Sequence, residues 1–461
     1  MKKLNIITIA TFIFLMFSVT SCQKKWLAPS INKDPDAVTD VPGYILLPSI
    51  EVQMGYILGG MDVVGTTSMW DQYAFGAARQ SAAINGYIYR PSDVDNVWDA
   101  FYQGGMMNVK ILMDKSLNPK TYAPIYAGIA KVCMAVWLGN ATDLWGAVPY
   151  TEAFKGKANL TPKYDSQQQV YDTIQSLLSS AINLLTQPPT AFDINLGTND
   201  YIYGGNATEW IKAAWALKAR YTLHLSNKNS TWAAAIINII ENKKIMTGNS
   251  DDLAFKFGTG PTAQNPMYQY EDQRGDMRNN PGFFASLASD NNDPRSLIYK
   301  HTPDGGDYFA GIYYGEKDSP VELMTYSELM FIAAEAYHQT GDYAMAKEYI
   351  IKGITSSINK YKSLHNAAYD AVADAWLTAK VATYTGTVDS PSLKEIIDQK
   401  YVADYLQPES FVDYRRTGFP VLTPVNSRGI PDRYPYPTAE RLYNKNTPRT
   451  TIYTKMWWQK P

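Results

Sequence analysis

The sequence predicts a mostly α-helical fold, built on tetratricopeptide-like helical-pair repeats and interrupted by irregular segments. Residues 326–354 have the pattern of two helices joined by a tight turn. One such hairpin cannot bury its own apolar face, so it predicts neighbouring helical pairs. Other segments, such as 93–114 and 122–140, repeat apolar residues at helical spacing, whereas 59–86 is rich in glycine and aromatic residues.

The hairpin at 326–354 has a clear turn signal. Gly341 is expected to end the first helix, because glycine enters a left-handed C-cap without steric cost. Asp342 is placed to cap the second helix. An ordinary helical hairpin remains the alternative to a repeat. The similarity to a tetratricopeptide hairpin depends on small and aromatic residues at fixed spacing, namely Ala334, Tyr337, Gly341, Tyr343, Ala346 and Ile350.

The N-terminus has the pattern of a secreted lipoprotein. Lys2 and Lys3 precede an almost unbroken apolar run over 4–17, and small residues then lead directly to Cys22. This predicts a lipoprotein signal peptide at 1–21, acylation of Cys22 by fatty acids such as palmitate, and a polar tether at 22–42. A plain signal peptide is the alternative.

Composition narrows the class of partner. Removing the signal peptide takes away two lysines and no acid, so the formal net charge falls from −2 to −4. A protein with this balance lacks the basic footprint of nucleic-acid binding. If Cys22 is acylated, Cys133 is left as the remaining thiol. It lies in an apolar helical segment and is expected to be buried and inert.

Several segments together resemble a known family. The first is 143–154, followed by Tyr164-Asp165; the second is 210–226, with an aromatic residue and a Leu-Lys-x-Arg step. The third is 396–420, which ends in Tyr-Arg-Arg-Thr-Gly-Phe-Pro, and a later Arg-Tyr-Pro-Tyr-Pro starts at Arg433. Their order and spacing resemble the SusD/RagB family of outer-membrane nutrient-binding lipoproteins, and the shorter SusD-like branch in particular.

The resemblance implies a domain plan, a partner and a location. A single SusD-like domain at 43–461 would contain helical pairs at about 93–244 and 326–406, and an irregular ligand-facing lobe at about 255–317 and 385–461. It implies a non-catalytic protein that binds glycan oligosaccharides and delivers them to a SusC-type TonB-dependent transporter. The protein would be lipid-anchored in the outer membrane, at the cell surface. The assigned pairs are 93–140, 168–226, 232–244 and 326–361, with 393–406 packing last.

Aromatic and polar residues in the irregular segments are the candidate ligand contacts. An exposed aromatic ring covers the apolar face of a sugar, while Arg and Asp side chains bond its hydroxyl rim. Helical cores need aromatics at helical spacing, whereas loops have no such need. The candidates fall in two regions that the resemblance also implies: Trp70, Asp71, Tyr73, Arg79 and Tyr87, and then Tyr268, Arg274, Tyr313 and Tyr314.

The sequence does not predict a catalytic, metal or cofactor site. Its four histidines are far apart, and it lacks the short motifs of zinc proteases, phosphate-binding loops and nucleophile elbows. The acidic segments 290–293 and 304–307 do not have the full spacing of a calcium loop. Arg415 and Arg416 are expected to tie a helix end to acids or carbonyls.

Three other functions stay open at this point. In the first, the protein captures peptides for uptake, which the RagB side of the resemblance allows. In the second, it is a lipid-anchored glycosidase whose two catalytic carboxyl groups the sequence does not place. In the third, it is a pure scaffold that binds proteins in the groove of its repeats.

Overall fold

The computed structural model describes residues 41–300, 309–362, 364, 366–386 and 390–460. The segment Gly43–Pro461 forms one compact unit. The predicted signal peptide, Cys22, almost all of the tether and the acids at 304–307 lie outside the described residues.

The first half of the chain is helical, with one short strand. π-Helical turns lie at Met61–Gly65 and at Ala100–Met106. The elements are α1 (Gly43–Leu58), α2 (Thr66–Trp70), β1 (Ala74–Gly76), α3 (Arg79–Asn85), α4 (Asp95–Asp99), α5 (Met107–Ser116), α6 (Pro124–Trp145), α7 (Gln167–Leu185), α8 (Leu196–Asn199), α9 (Ala207–Leu223) and α10 (Trp232–Asn242).

The second half alternates short and long elements. Within the described part of the chain, three short 3-10 turns also occur, at Pro91–Asp93, Gly156–Ala158 and Asn249–Asp251. The elements are β2 (Leu253–Phe255), α11 (Pro266–Gln273), β3 (Met277–Asn279), α12 (Pro281–Ser289), α13 (Ser296–Tyr299), α14 (Gly311–Tyr314), β4 (Val321–Met324), α15 (Tyr326–Thr340), α16 (Tyr343–Lys362), α17 (Ala367–Gly386), α18 (Leu393–Ala403), α19 (Glu409–Thr417) and α20 (Thr438–Tyr443).

The long helices pack in nearly the order in which they occur in the chain. Helix α5 packs on α6, α6 on α7, α7 on α9, α9 on α10, α10 on α15 and α15 on α16. Such a succession, in which each helix mainly contacts its neighbours, is the arrangement of stacked helical repeats. The prediction of a mostly α-helical fold is confirmed, and the packing order is consistent with tetratricopeptide-like pairs.

The turn between α15 and α16 has the predicted geometry. Gly341 has φ 82°, and its N–H donates to the carbonyl of His338 at 3.1 Å. The carboxylate of Asp342 accepts from the backbone N–H of Met345 at 3.1 Å. Both signals identified in the sequence therefore fix this turn. Farther along, Gly353 lies so close to the ring of Phe331 that an added Cβ would come within 2.8 Å of it.

Helix α6 forms the centre of the helical core. It is 22 residues long and apolar enough to cross a membrane, and within the described residues it is the one helix with that property. It is buried along most of its length, which identifies it as a core helix. Cys133 is fully buried on α6, as expected, and burial raises the pKa of its thiol. It is therefore an inert thiol.

Two regions differ from the expectation. Helix α17 had no predicted counterpart, because few of its residues are buried and its apolar stripe is narrow. The expected irregular segment 255–317 contains short helices, and two of them begin with an Asn-Pro pair. The side chains of Asn265 and Asn280 cap α11 and α12, and proline occupies the first helical position in both.

Candidate ligand-binding surface

A short antiparallel ribbon joins the two regions from which the candidate contacts were drawn. Strand β1 pairs with β3, with Ala74 opposite Asn279 and Gly76 opposite Met277. The N–H of Ala77 extends the ribbon by donating to the carbonyl of Asp276 at 2.8 Å. Segments about 200 residues apart therefore form one surface.

One buried carboxylate holds two exposed arginines at the end of this ribbon. Asp276 has 1% of its side chain exposed, and its two oxygens each lie 3.2 Å from a guanidinium Nε, one of Arg79 and one of Arg274. The side chains of Arg79 and Arg274 are 60% and 40% exposed. Arg274 donates a hydrogen bond from Nε to this acid, whereas Arg79 forms an ion pair with it, and both arginine side chains keep much of their surface in solvent.

The backbone at Arg79 is in the left-handed region, with φ 49°. A non-glycine residue held there carries a cost of roughly 1 kcal/mol or more, and such residues cluster at ligand-binding positions. One guanidinium N–H of Arg79 also donates to the carbonyl of Arg274 at 3.4 Å. The position of this arginine is therefore defined by its neighbours as well as by its own conformation.

One half-exposed tyrosine, Tyr270, flanks the two arginines, and two further tyrosines lie near it on α11 and α1. The hydroxyl of Tyr270 lies 2.6 Å from that of Ser81, and the guanidinium of Arg274 lies 5.9 Å from the Tyr270 ring centre. The ammonium of Lys317 lies 5.7 Å from the ring of Tyr268. On the adjacent α1, the hydroxyl of Tyr56 donates to Gln269 at 3.1 Å. We call this set the ribbon surface: Tyr56, Arg79, Tyr268, Tyr270, Arg274 and Asp276.

A carboxyl group with an altered pKa lies on α11 beside this surface. Burial raises the pKa of Glu271 to about 7, and the charge of Asp276 adds to this while Arg278 opposes it. At neutral pH the group is therefore present in both protonation states. Its protonated form is able to donate a hydrogen bond, which an ionised carboxylate is not.

The structure contradicts the expected exposure of five candidates. Trp70, Asp71 and Tyr73 are fully buried. The ring of Tyr73 stacks on Tyr401 with centroids 4.3 Å apart, and Asp71 accepts from the hydroxyl of Ser410 at 2.5 Å. These three side chains are packed in the core against α18 and α19, so they present no surface to a ligand.

The other two buried candidates also have internal partners. The hydroxyl of Tyr87 accepts from the backbone N–H of Val425 at 3.3 Å. The hydroxyl of Tyr314 donates to Glu322 at 2.9 Å. Tyr313 is half-buried and donates to the same carboxylate at 3.2 Å. Of the nine candidates, Arg79, Tyr268 and Arg274 therefore lie on the exposed ribbon surface.

Residues that the sequence did not single out complete the surface. Asp276 orients both arginines, and Ser81 fixes Tyr270, yet neither residue lies in a recognisable motif. A signal exists in hindsight: Arg274 and Asp276 flank Gly275, whose φ of 56° turns the chain between them. That Arg79 is a second partner of Asp276 can be recognised once the pairing of β1 with β3 is known.

The acidic segment at 290–293 is bound by the protein's own cations. Asp290 pairs with Lys380 at 2.7 Å and Asp293 with Arg295 at 2.6 Å. Within the described residues, there is no group of three or more His, Cys, Asp or Glu side chains placed to hold a metal ion.

Arg415 and Arg416 have the structural role expected from the sequence. Arg415 donates to the carbonyls of Asp143 and Asp432 at 2.7 and 2.8 Å. Arg416 donates to the carboxylates of Glu335 and Asp413, each at 2.7 Å. Together they tie the end of α19 to α6 and α15.

The fold is that of solved SusD-like proteins. The chain is similar to a SusD/RagB family protein from Bacteroides thetaiotaomicron, with 24% identity and a TM-score of 0.73 over 91% of this chain and 99% of that one. A chitin-binding SusD homolog from Flavobacterium johnsoniae has 20% identity and a TM-score of 0.69, over 90% and 97% of the two chains. A further structure, described as a chitin-binding protein, has 19% identity and a TM-score of 0.72, over 91% and 100%.

Residues 62–437 match the SusD-like family model described as "Starch-binding associating with outer membrane". Since this match spans most of the chain, the protein belongs to the SusD-like family. No curated protein sequence matches the chain. The family is one of nutrient-binding proteins associated with the outer membrane.

Proposed function

We propose that the protein is a non-catalytic outer-membrane lipoprotein that binds glycan oligosaccharides at the ribbon surface. Lipid on Cys22 would anchor it, and a SusC-type TonB-dependent transporter would take up the bound glycan. Membership of the SusD-like family supports carbohydrate as the ligand class. The observation that carries the site is the pair of exposed arginines held by one buried acid beside half-exposed tyrosines.

The arrangement suits the two kinds of surface on a sugar. The outward N–H groups of Arg79 and Arg274 donate to hydroxyl or ring oxygens, and the rings of Tyr268 and Tyr270 cover apolar C–H faces. Because Asp276 holds both arginines in the free protein, little side-chain freedom remains to be lost on binding.

Relatives suggest where to begin the search for the ligand. Two similar structures are described as chitin-binding, and the family description names starch. We therefore propose neutral oligosaccharides of N-acetylglucosamine or glucose as the first ligands to test.

Isothermal titration tests the site directly. The panel contains chitooligosaccharides, maltooligosaccharides and peptides. We expect one of the glycans to bind and the peptides not to bind. Arg274→Ala and Tyr268→Ala should each weaken binding by roughly ten-fold or more, as losing an anchor contact does. Tyr343→Ala is the matched control. This tyrosine is exposed at the start of α16, which packs on α15, α17 and α18.

Other outcomes would replace the proposal. Binding of peptides with no binding of any glycan would assign peptide capture. Release of reducing ends from a polysaccharide by the purified chain would make it a glycosidase. Co-purification of a transporter without binding of any nutrient would leave a scaffold. Loss of palmitate labelling in Cys22→Ala would support the anchor, and unchanged labelling would reject it.

A further inference from the structure

Two surface segments far apart in the chain, 152–163 and 440–449, are held side by side. The side-chain amide of Asn444 donates to the carbonyl of Pro162 at 3.0 Å. The side-chain amide of Asn446 donates to the carbonyl of Thr161 at 2.9 Å. Asn444 is buried, so this joint between the two segments is shielded from water and holds both segments in place.

Further hydrogen bonds make the joint rigid. The hydroxyl of Tyr164 donates to the Glu440 carboxylate at 2.7 Å, and the hydroxyl of Thr447 donates to the carbonyl of the same residue at 2.9 Å. On the other segment, the Glu152 carboxylate accepts from the backbone N–H of Lys163 at 3.1 Å. Side chains that project from this joint therefore do so from a fixed base.

Three large apolar side chains project into solvent here. Leu160 is 77% exposed, Leu442 is 69% exposed and Tyr443 is 79% exposed. Scattered exposed apolar residues are ordinary, but three on one rigid joint need an explanation.

The charges on these two segments are unbalanced. They contain six exposed basic residues and two acids, and the whole chain has a formal net charge of −2. Both acids are engaged in the hydrogen bonds described above, and nearby Asp95 accepts from the backbone N–H of Thr438 at 2.6 Å. The basic residues are Lys155, Lys157, Lys163, Arg441, Lys445 and Arg449.

We infer that these nine residues, the basic–apolar patch, rest on a lipid surface that carries anionic phosphate headgroups. Lysine and arginine are attracted to such a surface, and leucine and tyrosine insert at its interface. A stable protein partner would need on the order of 1,200–2,000 Å² of complementary surface, whereas three isolated side-chain tips supply little. The excess of basic charge favours the lipid occupant.

The length of chain before the compact unit is compatible with this contact. The compact unit begins at Gly43, so the 20 residues 23–42 separate it from the proposed acylated Cys22. Fully extended, they would span at most about 70 Å. An anchor of this length confines the unit to the membrane neighbourhood without orienting it, and the basic–apolar patch would supply the orientation. This step relies on the anchor proposed above.

Site-specific fluorescence on the acylated full chain in vesicles tests the inference. Tyr443→Cys introduces a thiol that accepts an environment-sensitive dye, because Cys133 is buried and Cys22 carries lipid. The vesicles contain phosphatidylcholine alone or roughly 3:1 phosphatidylcholine to phosphatidylglycerol, with bromine on the acyl chains as quencher. We expect about two-fold quenching in the anionic vesicles and much less in the neutral ones.

Matched variants decide the result. A dye on Val421→Cys, equally exposed but outside the patch, should show little quenching in either vesicle, and Leu160→Cys should behave like Tyr443→Cys. Adding Lys157→Glu and Lys445→Glu should return quenching at residue 443 to the level at residue 421.

Three results would overturn the inference. These are equal quenching at 421 and 443, no quenching at 443 in anionic vesicles, and shielding of the dye at 443 that requires the transporter. Glycan binding is measured separately in the same samples, so failure of the patch leaves the proposed function intact. If the chain does not retain lipid at Cys22, the anchor proposal fails first and is recognised by loss of vesicle association.

Discussion

Two pairs of arginines in this protein differ in what surrounds them. Arg415 and Arg416 are buried, and their donors are directed at carbonyls and carboxylates of the scaffold. Arg79 and Arg274 share a single buried acid and keep much of their side chains in solvent. The first pair joins elements of the scaffold together, whereas the second pair keeps guanidinium N–H donors that face solvent.

The comparison shows one residue type serving stability at a buried site, whereas the proposed function assigns it to recognition at the surface. A buried charge must be fully paired, because an unpaired one is very costly away from water. A charge at the surface gains little from its partner and remains available to a ligand. The number of internal partners per guanidinium therefore separates the structural arginines from those that the proposed function assigns to the ligand. Changes at Arg416, Arg274, Asp276 and Arg79 test that separation.

The largest effect is expected at Arg416. Arg416→Met removes the cation that pairs with the buried Glu335 carboxylate, and it leaves Asp413 with Lys400, 2.7 Å away, as its remaining cation. We expect the free energy of unfolding to fall by roughly 3–5 kcal/mol, measured by denaturant unfolding. The matched change Arg274→Met should cost less than about 1 kcal/mol. Equal losses would show that exposure does not distinguish the two pairs.

A slightly smaller effect is expected from the pH dependence of a second buried cluster of charges, around His224. His224 lies 2.9 Å from Glu409 and 3.5 Å from Asp143. Burial acts to lower the pKa of His224, but these carboxylates outweigh it and raise the pKa from 6.5 to about 9. The raised pKa means that the stabilisation is complete below pH 6.5 and is lost as the pH rises through 9.

Denaturant unfolding over this pH range measures the effect. The wild-type chain should lose about 3 kcal/mol of unfolding free energy between pH 6.5 and pH 9.5. The Glu409 carboxylate also faces Arg220 and Lys400, at 3.6 Å each, which keep their charge in this range. In His224→Gln the loss should be mostly absent. A variant with the same pH dependence as the wild type would assign the effect to other groups.

At the ribbon surface the expected stability effects are small and the binding effects large. Asp276→Asn keeps the shape of the side chain but removes the charge that holds both arginines. We expect a loss of about 1 kcal/mol in unfolding free energy and a loss of roughly ten-fold in glycan affinity, measured by calorimetry. Unchanged affinity would mean that the arginines do not need this orientation.

The smallest stability effect is expected at Arg79. Arg79→Gly removes one surface ion pair but relieves the left-handed backbone, so unfolding free energy should change by less than about 0.5 kcal/mol. Glycan affinity should still fall. Arg79→Ala keeps the strained backbone and should be the less stable of the two variants. The opposite ranking would show that the conformation of Arg79 carries no cost.

Local signals in the sequence were sufficient for the scaffold. Gly341 and Asp342 mark the turn of the α15–α16 hairpin whatever the rest of the chain does, and the apolar spacing of α6 and α7 is plain over many turns. The resemblance to the SusD/RagB family is likewise confirmed. What sequence reasoning missed in the fold, such as α17, is a helix with a weak apolar stripe.

The candidate site was only partly predictable, because burial depends on distant partners. Trp70 and Tyr73 lie in a segment rich in glycine and aromatics that resembles an exposed loop, yet Tyr401 and its neighbours cover it from the other end of the chain. Arg79 and Arg274 are exposed as expected. The acid between them, Asp276, is brought next to Arg79 by the pairing of two strands of three residues each, β1 and β3. Strands this short leave no periodic signal.

The ribbon of β1 and β3 also has a consequence for folding. Its strands close a loop of about 200 residues with a few hydrogen bonds, and the entropy of closure, roughly 5 kcal/mol, offsets about as much as those bonds return. Contacts of such long range form late, after the helices between them have collapsed. The surface that presents Arg79 beside Arg274 therefore exists in the completed chain alone, and a partly folded molecule lacks the glycan site proposed above.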